Sequence, residues 1–141
     1  MTSQQIEIVQ SSFVVVEPVL EKVTLMLYDR LFELDPPLRR LFHSSRKEQT
    51  RKFAHVLTVF VRALSRPQQI LAVMEELGRR HLTYGVREKH YATFGEALLW
   101  ALHSELGDSF TPDVREAWAS AYLFLASRME RAAANAIPRA T

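Results

Sequence analysis

His81 is the residue whose type and place in this chain could do the most chemistry. Ile70, Met74 and Leu77 form an apolar stripe at i, i+4 and i+7, and His81 continues it at i+11, just ahead of Gly85, where a helix would end. Two readings of that histidine share one orientation. In the first it hydrogen-bonds a free carbonyl in the last helical turn and complements the helix dipole. In the second it is a metal or cofactor ligand: the ring gives one electron pair to the metal, and its other N–H bonds a backbone carbonyl such as that of Leu77, one turn back. Two more polar groups fall at inward positions. Gln49 lies four residues before Phe53 on a stripe continued by Val56 and Phe60, so an amide faces inward at the start of an apolar helix face. Tyr28 shares a face with Leu25 and Phe32, which carries a phenol toward the interior, where its O–H needs a partner. Alone, Tyr28 reads as a satisfied core tyrosine. Together, a histidine on one helix and a tyrosine and a glutamine on two others describe an apolar pocket with a ligand on one wall and hydrogen-bond donors opposite.

Helices must position these groups. Only four glycines occur in 141 residues, and no Asn-Gly or Asp-Gly turn separates alternating segments, which argues against a hairpin-rich β fold. Apolar residues recur at helical spacing in four sets: Leu20, Val23, Leu27 and Leu31; Phe53, Val56, Phe60 and Leu64; Tyr91, Phe94, Leu98 and Leu102; and Val114, Trp118, Ala121, Leu125 and Met129. Between them stand breakers: "DPP" at Asp35 to Pro37, "SRPQ" around Pro67, Gly85, and "LGDSFTPD", where Thr111 can cap and Pro112 can open a helix. The expectation is an all-α chain of roughly six to eight helices. With 48% hydrophobic residues, one domain over 1–141 has enough apolar content for a sizeable core, with a tail fraying from about residue 132.

Composition removes several classes. A net charge of +2, with basic pairs scattered among acids, is a poor footprint for nucleic acid, so no such partner is expected. There is no cysteine, hence no disulfide framework and no thiolate metal site. No stretch approaches the ~20 apolar residues of a membrane span, and "MTSQQIEIVQ" has no leader pattern. A soluble cytoplasmic protein with no membrane partner is expected.

Four blocks, "LYDRLFELDPPLRRLF" from Leu27, "LGRRHLTYGV" from Leu77, "HYATFGEALL" from His90 and "FTPDVREAWASAY" from Phe110, stand in an order that resembles the single-domain bacterial globins, relatives of the haem domain of flavohaemoglobins. The resemblance spans roughly residues 5 to 135. It implies the globin fold, a helical sandwich around one b-type haem and its iron. By the same resemblance His81 is the proximal histidine and metal ligand, and Phe42 the aromatic against the haem face. Tyr28 and Gln49 are the distal pair that hydrogen-bonds dioxygen, and Phe53 is the apolar residue beside them. Tyr91, ten residues after His81, matches a tyrosine behind the proximal histidine. Run without gaps from Ala121-Tyr122, the last helix puts Asn135 where the family has a glutamate, and Glu130 is expected on a different face.

The other histidines read as bystanders. His55 is turned about 200° from Phe53 around its helix. His43 and His103 belong to the surface, and His90 caps or precedes the helix that Tyr91 begins. Arg79, Arg80, Arg51 and Lys52 either pair with haem propionates or form a solvated face. The functional expectation is reversible binding of dioxygen and other diatomic gases, with oxidation of nitric oxide to nitrate where an external reductase returns the electron. No flavin or nicotinamide domain is expected in the chain. The alternative is a gas or redox sensor that signals through a partner protein.

Overall fold

The structure, a computed structural model, describes residues 1–42, 44–83 and 86–136, and within these not the side chains of Pro67, Ile70, Val73, Leu82, Thr83 and Ala136. The expectations for His43, Gly85 and the Ile70 side chain therefore lie outside the described residues. Among the described residues the chain forms six α-helices and no strand: α1 (Ser3–Val16), α2 (Leu20–Leu34), α3 (Arg46–Arg62), α4 (Pro67–Thr83), α5 (Glu88–Leu106) and α6 (Pro112–Ala136). Short 3-10 segments at Glu17–Val19, Pro36–Leu41 and Gly107–Ser109 carry the chain round corners.

The helix starts follow local chemistry. Thr2 and Gln5 cap α1 reciprocally, the Gln5 N–H donating to Thr2 Oγ1 at 3.1 Å and the Thr2 N–H to Gln5 Oε1 at 3.0 Å. Ser45 caps α3 by accepting the Glu48 N–H at 3.2 Å. Thr111 Oγ1 accepts the Val114 N–H at 3.3 Å, and Pro112 opens α6, as the "TP" pair indicates. At its far end α6 continues to Ala136 with Ala132 buried, past the point where the sequence suggests fraying.

Three contacts decide where the helices sit. Helices α1 and α6 meet through Phe13 and the buried Trp118, whose ring centroids are 6.3 Å apart. The Trp118 indole N–H donates to Ser12 Oγ at 2.8 Å, and the Ser12 hydroxyl in turn donates to the Ile8 carbonyl, so the one polar atom of that tryptophan is satisfied in the core. Helices α5 and α6 meet where Gly95 faces the Tyr122 ring, which a Cβ at residue 95 would approach to 2.8 Å. Helices α4 and α6 come closest at Gly78, where a Cβ would overlap the backbone carbonyl of Met129. That contact sets the height of the helix that carries His81.

The two glycines predict different costs. In Gly78→Ala the methyl meets backbone that cannot rotate away, so α4 must move off α6. Overpacking of this kind costs about 1–3 kcal/mol, which exceeds the ~1 kcal/mol that alanine returns in helix propensity. Thermal unfolding of Gly78→Ala should come several degrees below the parent, and Gly95→Ala, which meets a side-chain ring at 2.8 Å instead of backbone at 2.2 Å, should lose less. Equal melting temperatures for Gly78→Ala and the parent would show that α4 and α6 do not approach this closely.

Candidate functional site

On the proximal wall, the His81 Nδ1–H donates to the Leu77 carbonyl at 2.6 Å, the partner its place on the stripe suggests. With Nδ1 committed, the lone pair of the neutral ring lies on Nε2, the tautomer a metal requires. Burial lowers the His81 pKa below the usual imidazole value, against the smaller opposing effect of the Leu77 bond, so the ring is uncharged at neutral pH. The helix is closed behind it by the Val86 N–H, which donates to the His81 carbonyl at 2.9 Å.

The opposite wall is aromatic. Tyr28, buried on α2, has the rings of Phe32, Phe42, Phe53 and Phe94 with centroids 5.5–6.3 Å from its own. Phe42, Phe53 and Phe94 present edges to it, the arrangement that ring quadrupoles favour. Burial pushes the Tyr28 pKa well above the ordinary phenol value, so the hydroxyl remains a donor, and among the described residues it makes no hydrogen bond. Gln49 sits half-buried in the first turn of α3, and its amide is not bonded to Tyr28 among the described residues. The fully buried polar side chain of that turn is Thr50, which donates to the Arg46 carbonyl at 2.8 Å.

Helix α5 joins the two walls. Tyr91, near its start, lies with its ring centroid 6.4 Å from that of His81, and Phe94, one turn on, reaches Phe53 at 5.1 Å and Tyr28 at 6.2 Å. Phe94 was readable only as a core position. Its spacing of three from Tyr91 puts both on one face of α5, and the crossing of α5 over α2 and α3 brings it to the Tyr28 side. Tyr122 stacks on Phe94 and donates its O–H to the Tyr91 carbonyl at 2.6 Å. The Tyr91 hydroxyl is buried without a partner, and burial followed by the nearby charge of Glu130 pushes its pKa up to about 12.

Glu130 corrects an expectation from the sequence. It, and not a residue near 135, is the acid felt by Tyr91 and Tyr122, while Asn135 is exposed and lines a recess on the outer side of α4 and α6. Helix geometry explains this: eight residues beyond Tyr122 is about 80° around α6, whereas thirteen residues is about 220°. Arg79 and Arg80 both pair with Glu76, at 2.8 and 3.4 Å, while Lys52 donates to Ser44 and Arg51 is exposed. His55 and His103 are exposed, and His90 accepts the Arg87 N–H on Nδ1 at 2.9 Å in the first turn of α5.

A model of the globin family matches residues 25–129, about three quarters of the chain. This chain is a member of the globin family. Among its relatives, the flavohemoprotein of Bacillus subtilis is 33% identical over 125 residues, covering 86% of this chain and 31% of that protein. The chain spans a quarter to a third of the length of the curated relatives it matches. Among solved structures, an engineered carbene transferase derived from a candidate nitric oxide dioxygenase of Rhodothermus marinus is 28% identical with a TM-score of 0.82, covering 96% of this globin and 94% of that chain. A bacterial globin from Campylobacter jejuni, 21% identical, has a TM-score of 0.85 with 95% and 97% covered, which shows the same fold.

Haem is the cofactor of this family, and the residues present fit it. The globin offers a neutral imidazole with one nitrogen committed to a carbonyl, an aromatic wall with an unbonded phenol donor, and a second buried phenol without a partner beside the histidine.

His90 gives the site a pH dependence. Burial and then Lys89 hold its pKa below the usual value, against the opposing pull of Asp35, with Arg87 adding a smaller lowering. A histidine depressed in the fold binds more protons when unfolded, so its contribution is present above the unfolded pKa of about 6.5 and is lost as pH falls through the folded value. His81 acts in the same direction. The melting temperature of the globin should fall between pH 7.5 and pH 5.5. His90→Gln, which retains an acceptor but cannot titrate, should flatten part of that slope. An unchanged slope would remove His90 from this account.

Proposed function

We propose that this globin binds haem through His81 and holds dioxygen against Tyr28. A second capacity, oxidation of nitric oxide to nitrate, would be served by an external reductant. The observation that carries the reading is the pairing of a histidine whose Nδ1 is already bonded to Leu77 with a buried, unbonded phenol on the aromatic wall. Held by His81, a haem would supply an iron able to bind a diatomic gas.

Everything else is done by the chain. Leu77 fixes the plane and tautomer of the imidazole, and the lowered pKa of His81 keeps its metal-facing nitrogen unprotonated at neutral pH. Phe42, Phe53 and Phe94 pack their edges around the Tyr28 ring and make its surroundings apolar, a setting in which its O–H donor acts more strongly on a polarised ligand. Gln49, half-buried in the first turn of α3, is the second donor of this reading. Tyr91 stands beside His81, its phenol pushed up to about 12 by burial and then by the charge of Glu130, so it stays a hydrogen-bond donor. Confinement of dioxygen and nitric oxide in one apolar space is the proximity effect on which nitrate formation would draw.

Two variants test the reading. His81→Ala should purify without a Soret band or lose haem rapidly to an acceptor globin, because the one proximal ligand is gone. Retention of the parent spectrum would make another residue the ligand, and His55 would be tested next. Tyr28→Phe keeps the ring and removes the donor. A hydrogen bond to a partly charged oxygen contributes roughly 1.5–3 kcal/mol, so stopped-flow release of dioxygen should speed up by about one to two orders of magnitude, while release of the less polar carbon monoxide changes less. Unchanged dioxygen release would place Tyr28 away from the gas.

A further inference from the structure

Beyond the Gly78 crossing, the outer sides of α4 and α6 enclose a recess of about 210 Å³ lined by Glu75, Arg79, Arg128, Arg131, Ala132 and Asn135. Glu75 and Arg79 are one turn apart on α4, and Arg128, Arg131 and Asn135 follow at i, i+3 and i+7 on one face of α6. Three guanidinium groups therefore converge with a single carboxylate and one amide. Neither Arg128 nor Arg131 forms an ion pair among the described residues, and Arg128 lies over the Phe124 ring at 5.5 Å. Arg79 holds Glu76 at 2.8 Å.

We propose that this recess binds a compact phosphate-class oxyanion, clamped between Arg128 and Arg131 of α6 and Arg79 of α4, with Asn135 as a neutral donor. The guanidinium fork matches phosphate oxygens two at a time, which is why arginines gathered in a concavity select this chemistry over a monovalent halide. Sites for drug-sized ligands run ~300–1,000 Å³, so this volume suits a small oxyanion, such as a diphosphate group, rather than a large organic ligand. Like-charged groups held together raise the local positive potential, and an anion relieves that repulsion. Glu75 opposes the anion and sets how tightly it is held. Because Arg79 stands two residues before His81 on the same helix, an anion that bridges α4 and α6 ties the proximal helix to its neighbour. The inference does not depend on the gas-binding reading, since its ligand, its residues and its test are separate.

The probe is inorganic pyrophosphate, titrated into the haem-loaded protein by calorimetry at low ionic strength and followed in parallel by thermal melting. One equivalent should bind, and the melting temperature should rise more than in potassium chloride of equal ionic strength. The double variant Arg128→Gln, Arg131→Gln should weaken binding about tenfold or more, the loss expected from removing charge-assisted hydrogen bonds. Glu75→Gln should tighten binding several-fold, a change opposite in sign that general loss of structure would not produce. Far-ultraviolet and Soret spectra matching the parent would show that both variants are folded. Binding equal to the parent's in the arginine double variant, no gain in Glu75→Gln, or a melting shift matched by chloride would each overturn the proposal. A second arm presents the same phosphate chemistry on phosphatidylglycerol vesicles: retention on vesicles without pyrophosphate binding would also overturn it, assigning the patch to a surface instead of a recess.

Discussion

The hydrogen bond from His81 Nδ1 to the Leu77 carbonyl is the interaction on which the rest of the site depends. The Leu77 carbonyl lies inside α4, which runs to Thr83, and its second lone pair accepts the imidazole N–H of the residue one turn on. That single bond does three things at once. It fixes the ring plane, it puts the lone pair on the opposite nitrogen, and it sets the direction in which that nitrogen points. Burial acts with it by keeping the ring neutral. The bond is local to α4, so its usefulness depends on where α4 itself is held.

Two close approaches hold it. Gly78 lets α4 lie against the Met129 backbone of α6, and Gly95 lets α5 accept the Tyr122 ring of the same helix. Helix α6 is thus a common floor for the two helices that flank the proximal side. Tyr122 adds a polar tie through the Tyr91 carbonyl, so the phenol beside His81 is positioned from its backbone end while its hydroxyl stays unbonded. The same helix pair leaves the arginine recess on its outer side, which gives α6 a charged face toward solvent and an aromatic face toward the pocket.

Helix α5 carries the second constraint. Its residues Tyr91 and Phe94, one turn apart, touch the proximal histidine on one side and the Tyr28 cluster on the other. Aromatics from α2 and α3, Tyr28 and Phe53, meet Phe94 and each other at edge-to-face angles, and Phe42 at the 3-10 corner presents its edge to Tyr28. The packed rings lie around a phenol whose hydroxyl has no hydrogen-bond partner among the described residues. The pocket is therefore a place where the fold has left hydrogen-bonding capacity unspent on its own chain.

The sequence by itself determined what depends on neighbours within a few residues. Periodicity located the helices, "TP" and the capping residues located their starts, and the stripe from Met74 through Leu77 to His81 determined both the inward aim of the histidine and its carbonyl partner. Inward placement of Tyr28 and Phe53 followed from the same rule. What the tertiary structure alone decided are the relations between helices. That Phe94, and not only Phe53, lines the Tyr28 side depends on how α5 crosses α2, and no spacing within α5 contains that crossing. Glu130 stands near Tyr91, and Asn135 does not, because register along α6 becomes proximity only after the angle around the helix and the packing on α5 are fixed. Gly78 looks like any helix-weakening glycine until the Met129 backbone is beside it. Local hydrogen bonds and periodic faces are written at separations of three and four residues, whereas the contacts between α4, α5 and α6 join residues from ten (His81 and Tyr91) to about fifty (Gly78 and Met129) positions apart, and only the folded chain brings those together.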